Sequence, residues 1–212
     1  MIATVQPQRY TTEDFLEILP ALDPTLDYQL ENGLIIPMPK TSPEHQSLLS
    51  KLLVKLVLSA EESGLTWEIL PGISFCPNPG ECRFPDLTVV ERAFWLQQED
   101  SILREAPTAA IEIVSINWRD DYEKKPLWYA GYGVQELWLI DPLYVIKRYP
   151  KAKNPKIPEP TISIGKLKPS AKITIQYEYD FHVFAGSDLI ESELFPNLRL
   201  TVDQIVAFGL LR

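Results

Sequence analysis

The chain has 212 residues, 45% of them hydrophobic, which is enough for one domain with a substantial core. Its formal net charge of −9 argues against a protein whose whole surface attracts nucleic acid. No apolar run reaches the roughly 18 residues that span a bilayer, and residues 1–10 lack the pattern of a secretion signal. We therefore expect a cytoplasmic protein that does not contact membranes.

The few histidines and cysteines limit the metal chemistry that is possible. Two histidines, His45 and His182, exclude a multi-histidine metal cluster. Five residues separate Cys76 from Cys82 in a loop rich in proline and glycine, a spacing that allows a disulfide or half of a metal site. For an intracellular chain we expect two reduced thiols without a function.

The first part of the chain predicts a short helix, a hairpin and a long helix. Residues 11–14 form a capping sequence before apolar residues at helical spacing. Residues 26–36 predict a hairpin that turns at Asn32-Gly33. Residues 42–44, Ser-Pro-Glu, start a helix of about five turns whose apolar side chains recur as far as Val57.

Two predicted strands in the middle of the chain each carry one carboxylate. Residues 65–76 first predict a strand kinked at Pro71-Gly72, and the apolar runs 87–90 and 109–116 follow, separated by a partly helical or exposed segment at residues 92–105. Asp86 begins the first run and Glu112 lies inside the second. A lone charge in a buried strand is costly, so we expect a cation or a metal beside it.

The two acids together suggest a metal site. Two carboxylates and a nearby lysine are the smallest set of groups that holds Mg²⁺ and a water beside a phosphodiester. Taken singly, each acid has a structural explanation, because Asp86 can cap a turn and Glu112 can pair with an arginine. Their order along the chain favours the metal site.

The C-terminal third predicts antiparallel strands and a final helix. Residues 136–141, 144–149, 161–164 and 172–179 have strand character, and residues 198–208 predict an amphipathic helix entered through Thr201 and Asp203. Apolar and aromatic residues alternate along the last of these strands, at Ile173, Ile175, Tyr177 and Tyr179. This alternation predicts one strand face that is buried in the core or faces a partner.

A lysine-rich segment contrasts with the acidic remainder of the chain. Opposed only by Glu159, it holds eight basic residues: Lys147, Arg148, Lys151, Lys153, Lys156, Lys166, Lys168 and Lys172. Such a segment is either a solvated loop or a mobile basic arm that contacts phosphates.

The acids and their surroundings resemble a known family. Asp86 and Glu112 with their spacing resemble the PD-(D/E)xK nuclease superfamily, and more narrowly the chain resembles the Uma-two type of restriction endonuclease. The resemblance covers about residues 10–145, with a weaker similarity at 195–205. It depends on five pieces in order: residues 42–46, 83–86, 111–115, 121–125 and 133–142.

The resemblance implies an α/β fold and a single domain over residues 1–212. Its restriction-endonuclease-like core, about residues 10–145, has a central mixed β-sheet flanked by helices. Residues 146–212 add a C-terminal β-ribbon and a short helix. The resemblance also implies that Asp86, Glu112 and the backbone carbonyl of Ile113 hold Mg²⁺ or Mn²⁺.

The lysine of the motif departs from its simplest form. That form places the lysine two residues after the glutamate, where this chain has Val114. In Uma-two relatives the lysine comes from the following helix. By register from Tyr129 it is Lys125, which would activate water, with Asp121 one turn earlier.

Pro126 complicates this assignment. Proline disfavours the α conformation at the residue before it, here Lys125, so the helix either begins at Pro126 or is kinked there. Lys124 is the alternative lysine that points into the site.

Gln29 and His45 are secondary candidates. The family pattern has an acid near Gln29 and Asn32, whereas this chain has amides at both positions, which removes one possible metal ligand. Glu31 is the acid next to the hairpin turn. His45 lies in the first turn of the long helix, where it holds a phosphate, orients water, or only caps the helix.

The sequence thus indicates a metal-dependent endonuclease that hydrolyses DNA phosphodiester bonds. The resemblance implies a homodimer, because two strands need two sites. The alternative is a catalytically degenerate nuclease fold that binds nucleic acid or protein, which the amides, Pro126 and the acidic charge favour. A third reading is a structural acid pair in an unrelated α/β protein.

Overall fold

A computed structural model describes residues 7–142 and 160–209, which form two β-sheets with helices packed against them. The helices are α1 Thr12–Ile18, α2 Pro43–Glu62, α3 Arg92–Trp95, α4 Lys125–Gly131 and α5 Val202–Ala207, with a 3₁₀ turn at Leu19–Ala21 and a π-helical turn at Asp120–Lys124. The strands are β1 Leu26–Glu31, β2 Leu34–Pro39, β3 Trp67–Pro71, β4 Ser74–Asn78, β5 Glu81–Arg83, β6 Leu87–Glu91, β7 Ile102–Leu103, β8 Ala109–Ile113, β9 Glu136–Asp141, β10 Thr161–Pro169 and β11 Tyr177–Ala185.

The larger sheet is mixed and has helices on both faces. Its strand order is β11-β10-β9-β8-β6-β3, with β8 and β9 parallel and the other pairs antiparallel. Strands β8 and β9 are buried along their whole length, as expected for the centre of a covered sheet. The predicted fold class, an α/β protein with a central mixed sheet flanked by helices, is confirmed.

Alternation along β8 decides which helix covers which residue. Ile111 and Ile113 pack in one core with α2 and α5, whereas Ala110 and Val114 pack in another with α4. Because neighbouring strand residues point to opposite faces, Glu112 lies on the face that α4 covers.

The smaller sheet contains the predicted hairpin. Its order is β2-β1-β5-β4-β7, and β1 and β2 turn at Asn32 and Gly33, whose φ angles are 48° and 76°. Positive φ at both positions explains the Asn-Gly pair, since few other residues accept it.

Helix α2 begins as predicted. The backbone N–H of His45 donates to the Ser42 side chain at 3.2 Å, and Pro43 occupies the first turn. The leucines of α2 that face the large sheet, Leu48, Leu52 and Leu56, are buried in one core cluster with its strands.

The prediction of a single kinked strand at residues 65–76 is wrong. The chain leaves the large sheet after Pro71 and enters the small sheet at Ser74, so two strands replace one. Gly72 between them has φ +63°, a conformation that L side chains rarely adopt. The Pro-Gly pair therefore connects two sheets.

The expectation of reduced cysteines is also wrong. Cys76 on β4 and Cys82 on β5 form a disulfide, with their Cα atoms 4.1 Å apart. Antiparallel pairing of the two short strands brings the cysteines together. Local sequence does not reveal that pairing.

The C-terminal strands extend the large sheet. Strand β10 pairs with both β9 and β11 along nearly its whole length. The strand predicted at 172–179 is shifted, because residues 170–176 form the turn, closed by Ser170 N–H donating to Gln176 O at 3.0 Å. Ile173 is therefore fully exposed and belongs to no buried stripe. The strand predicted at 144–149 lies outside the described residues.

The final helix and the basic segment are described in part. Helix α5 is shorter than predicted, and Thr201 caps it together with Gln204. Residues Lys147 to Lys156 of the basic segment lie outside the described ranges. Its three remaining lysines pair with acids: Lys166 with Glu193, Lys168 with Asp180 at 3.1 Å, and Lys172 with Glu178 at 2.9 Å.

In the part of the chain that the structure describes, none of the helices has the length and apolar character needed to cross a membrane. The cytoplasmic location stays a prediction.

We expect the buried face of α2 to be essential for stability. Leu52 is 0% exposed under the large sheet, whereas Leu58 on the same helix is 45% exposed. Leu52→Ala should lower the free energy of unfolding by about 2–5 kcal/mol, because it leaves a cavity. Leu58→Ala, the matched control, should change it by less than about 0.5 kcal/mol. Urea unfolding measures both, and equal effects would contradict the packing described here.

Candidate active site

Asp86 and Glu112 are cross-strand neighbours. Leu87 pairs with Ile111 in antiparallel register, which places the preceding residue, Asp86, opposite Glu112. Residues opposite each other in such a pair point to the same face. Asp86 Oδ2 also accepts a hydrogen bond from the backbone N–H of Ile113 at 2.7 Å. The structure thus brings together the two acids that the sequence singled out.

Lys125, rather than Lys124, points to these acids. The Lys125 Nζ lies 2.8 Å from Glu112 Oε2 and 2.8 Å from Asp121 Oδ1, and its side chain is 14% exposed. The Lys124 Nζ lies 3.6 Å from Asp120 Oδ1, and its side chain is 63% exposed. Of the two lysines, only Lys125 contacts Glu112.

The expectation that Pro126 keeps Lys125 out of the α region is wrong. Lys125 has φ −55° and ψ −44°, and its backbone N–H donates to Asp120 O, five residues earlier. The π-helical turn Asp120–Lys124 is wider than an α-helical turn. We attribute the tolerance of Pro126 to this width, because in a regular helix its ring would clash with the carbonyl four residues before it.

Two further groups hold the cluster in place. The Tyr129 hydroxyl donates to Glu112 Oε1 at 2.6 Å, so Glu112 is bound by a tyrosine and a lysine, not by an arginine. Asp121 Oδ2 accepts from the backbone N–H of Ser115 at 2.9 Å. The sequence analysis used Tyr129 only to set the helix register. Tyr129 lies one turn after Lys125 on the same helix face, and this spacing could have indicated that it also contacts the site.

Two buried carboxylates, those of Glu112 and Asp121, therefore bind one ammonium group, and the partly exposed Asp86 carboxylate interacts with it electrostatically. Burial raises the pKa of Glu112 to about 7; the Asp86 and Asp121 carboxylates add to this, whereas Lys125 lowers it. Burial alone would lower the pKa of Lys125, but Glu112 and Asp121 more than offset this and raise it above its usual range. Lys125 is thus an ammonium ion at neutral pH.

His45 joins the cluster from α2. Its Nε2 lies 2.8 Å from Asp86 Oδ1, and its side chain is 12% exposed. The first turn of α2 thus brings an imidazole to the same carboxylate that β6 positions. Gln29 lines the same cleft from the hairpin, and its Nε2 donates to Glu31 Oε1 at 2.6 Å.

The sequence analysis missed Arg83. Its guanidinium is buried between Glu31, at 2.7 Å, and Asp120, at 3.3 Å, and lies 5.1 Å from the centre of the Trp128 ring. This arginine ties the small sheet to the turn that carries Asp121. The sequence analysis included Arg83 in the motif at residues 83–86 but gave it no role of its own.

The cluster opens into a cleft of about 770 Å³ between the hairpin, α2 and the large sheet. Among residues 7–142 and 160–209, no three His, Cys, Asp or Glu side chains are already arranged as a metal-binding group. The donor set nevertheless fits a hard divalent cation, because carboxylate oxygens are its preferred ligands and three carboxylates outnumber the one ammonium.

Comparison with solved structures shows that this α/β fold also occurs in another protein. The chain is similar to the crystal structure of a putative nuclease belonging to DUF820 from Anabaena variabilis, with a TM-score of 0.67 and 18% sequence identity. The match covers 94% of this chain and 99% of that chain. At this identity the likeness establishes the fold alone.

The family follows from the sequence itself. The model of the Uma2 family, described as "Putative restriction endonuclease", matches residues 12–203, and the chain belongs to this family. This confirms the resemblance that the five ordered motifs carry. A comparison with curated proteins found no match.

The charge balance predicts how Glu112 titrates in the metal-free protein. Its carboxyl should titrate near pH 7, and Lys125→Met should raise this pKa further, because the mutation removes the cation that lowers it. The folded state holds this proton more tightly than the unfolded chain. Glu112 should therefore reduce stability as pH rises from 4.5, its ordinary pKa, to about 7.

A pH titration of the Glu112 side-chain carbon signal by NMR measures this pKa. Lys124→Met is the matched control and should leave it unchanged, because Lys124 pairs with Asp120 instead. A Glu112 that titrates near 4.5 in the native protein would contradict the buried cluster.

Proposed function

We propose that the protein is an endonuclease that hydrolyses DNA phosphodiester bonds with Mg²⁺ or Mn²⁺. The observation that carries the proposal is the cluster of Asp86, Glu112, Asp121 and Lys125 at the base of an open cleft. Membership of a family of restriction endonucleases supports it.

Asp86 and Glu112, with the backbone carbonyl of Ile113, are the groups proposed to hold the cation. When bound, a divalent cation would supply positive charge beside the phosphoryl oxygens and lower the pKa of water. The excess of carboxylates over cations in the cluster supports this assignment.

Lys125 acts through its charge. Because its pKa is raised, Lys125 keeps its proton at neutral pH and does not remove one from water. Its ammonium, fixed by Glu112 and Asp121, is placed to stabilise the negative charge that develops on phosphorus oxygens during attack. The sequence analysis expected Lys125 to activate water. We propose that it contributes through its positive charge and not as a base.

His45 and Tyr129 support the acids from two sides. The Tyr129 hydroxyl fixes one oxygen of Glu112, which directs the other oxygen towards Lys125. His45 contacts Asp86, and we propose that its imidazole orients the attacking water or a phosphate oxygen. Gln29 lines the cleft on the hairpin side and belongs to the substrate wall.

Three further expectations remain proposals: the DNA substrate, the homodimer and the cytoplasmic location. DNA is the substrate suggested by the family. A homodimer is needed only if both strands of a duplex are cut together. Cytoplasmic location is kept as a prediction from the sequence.

Cleavage of supercoiled plasmid with Mg²⁺ or Mn²⁺ tests the activity. The native protein should nick the plasmid, and Asp86→Ala should abolish nicking. Lys125→Met should slow it by about 10²–10³, the usual cost of removing one group that stabilises the transition state.

Lys55→Met is the control for Lys125→Met, because it removes an exposed lysine of α2 that lines no part of the cleft. It should keep nearly native activity. Equal activity of the native protein and Asp86→Ala would point to a contaminating nuclease. Absence of activity together with absence of metal binding would favour the alternative, a degenerate nuclease fold that only binds.

Metal binding is a separate prediction. Calorimetric titration with Mn²⁺ should show one site in the native protein, and Asp86→Ala and Glu112→Ala should each weaken it at least about tenfold. Glu193→Ala, which removes a surface carboxylate, should leave the titration unchanged. Unchanged binding in both cluster variants would rule out the proposed metal site.

A further inference from the structure

The reacting groups are recessed. The side chains of Glu112 and Asp121 are 3% exposed each, so a phosphodiester must enter the cleft to reach them. The cleft volume, about 770 Å³, lies in the range of about 300–1,000 Å³ that is typical of small-ligand sites. Such a space suits one or two nucleotides better than a rigid base-paired duplex.

The wall of the cleft beside the acids is largely apolar. Leu22, Leu26, Met38 and Leu49 line it together with the amides of Gln29 and Gln46. All four apolar side chains are partly exposed. A nucleobase has apolar faces and a polar edge, so it matches a wall of this composition.

The cleft offers little positive charge to a polyanion. Among the described residues that line it, each lysine and arginine already pairs with an acid: Lys40 with Asp27, Arg83 with Glu31 and Asp120, and Lys125 with Glu112 and Asp121. Tight binding of a duplex depends mainly on free cations that neutralise its phosphates. Affinity here must come from contacts with bases.

A second cleft, of about 510 Å³, adjoins the first. The two share Gln29, Met38, Ile116 and Asn117, so they form one path. Trp118, Arg119 and Lys124 line the second cleft, and the Arg119 guanidinium lies 5.2 Å from the centre of the Trp118 ring. Aromatic rings with nearby cations are the groups that hold single strands without sequence preference.

We infer that the substrate is an unpaired nucleic-acid strand. One base lies against the apolar wall of the first cleft, its phosphodiester reaches Asp86 and Glu112, and the adjoining nucleotide stacks on Trp118. This inference rests on the proposed phosphodiesterase activity. It also removes the need for two sites, since a single strand is cut by one.

The test compares three labelled probes of one sequence: a single-stranded DNA oligonucleotide, its duplex, and the RNA strand. With Mn²⁺, the native protein should cut a single strand at least about tenfold faster than the duplex. Fluorescence anisotropy with the Glu112→Gln protein measures binding without cleavage. Affinity for the single strand should exceed that for the duplex and fall only slightly with salt.

Two variants with matched controls test the second cleft. Trp118→Ala should weaken single-strand binding at least about tenfold. Leu96→Ala removes an exposed side chain that lines neither cleft and should have no effect. Arg119→Ala should weaken binding, whereas Arg104→Ala, at an exposed arginine paired with Asp100, should not. The unfolding midpoint shows whether each variant is folded.

Cleavage of the duplex as fast as the single strand would overturn the inference while the proposed nuclease stands. Full affinity in folded Trp118→Ala and Arg119→Ala would also overturn it. Preference for the RNA strand would support the unpaired substrate and correct the DNA assignment. If no probe is cut, the proposed activity fails, and binding decides the inference: preference for the duplex, or no preference, overturns it.

Discussion

The site depends on the ion pairs that the Lys125 ammonium forms with Glu112 and Asp121. Asp86 lies just before β6, Glu112 lies on β8 and Asp121 lies in the π-helical turn. The carboxylates of Glu112 and Asp121 are buried, and three carboxylates in one place repel one another. A buried acid without a counter-charge is costly, and Lys125 supplies that charge to two of them. The strand register, the position of α4 and the wide turn before it all bring this lysine to the acids.

A second buried cation explains why the two sheets hold one cleft between them. Arg83 binds Glu31 in the small sheet and Asp120 in the π-helical turn. The adjacent acids Asp120 and Asp121 thus bind different cations, and a single turn of chain joins the hairpin to the site. The backbone route from Arg83 to Asp86 is three residues long, so the same contacts restrain the entry to β6.

The sequence predicted correctly those features that depend on residues close together in the chain. A serine cap and proline set the start of α2, and Asn32-Gly33 set the hairpin, because each acts within a few residues. Asp86 and Glu112 were recognisable as lone charges in apolar strands. The contact of Arg83 with Glu31 and the Cys76–Cys82 pairing depend on strand partners that no local pattern specifies. The change of sheet after Pro71 could not be predicted either, because a Pro-Gly turn does not determine which strand the next residues pair with.

In the proposed mechanism, the charge balance would also couple binding of the cation to binding of the substrate. Above pH 7 the three carboxylates outnumber Lys125, so the unliganded cluster repels a phosphate. A bound divalent cation would cancel this excess of negative charge, and by linkage a phosphate that binds more tightly with the cation would also strengthen binding of the cation. The apolar wall contributes little to this coupling, because contacts with a base do not depend on the charge of the cluster. Under the proposed function, recognition of the base by the hairpin and α2 would therefore be separable from recognition of the phosphate by the cation that the acids hold.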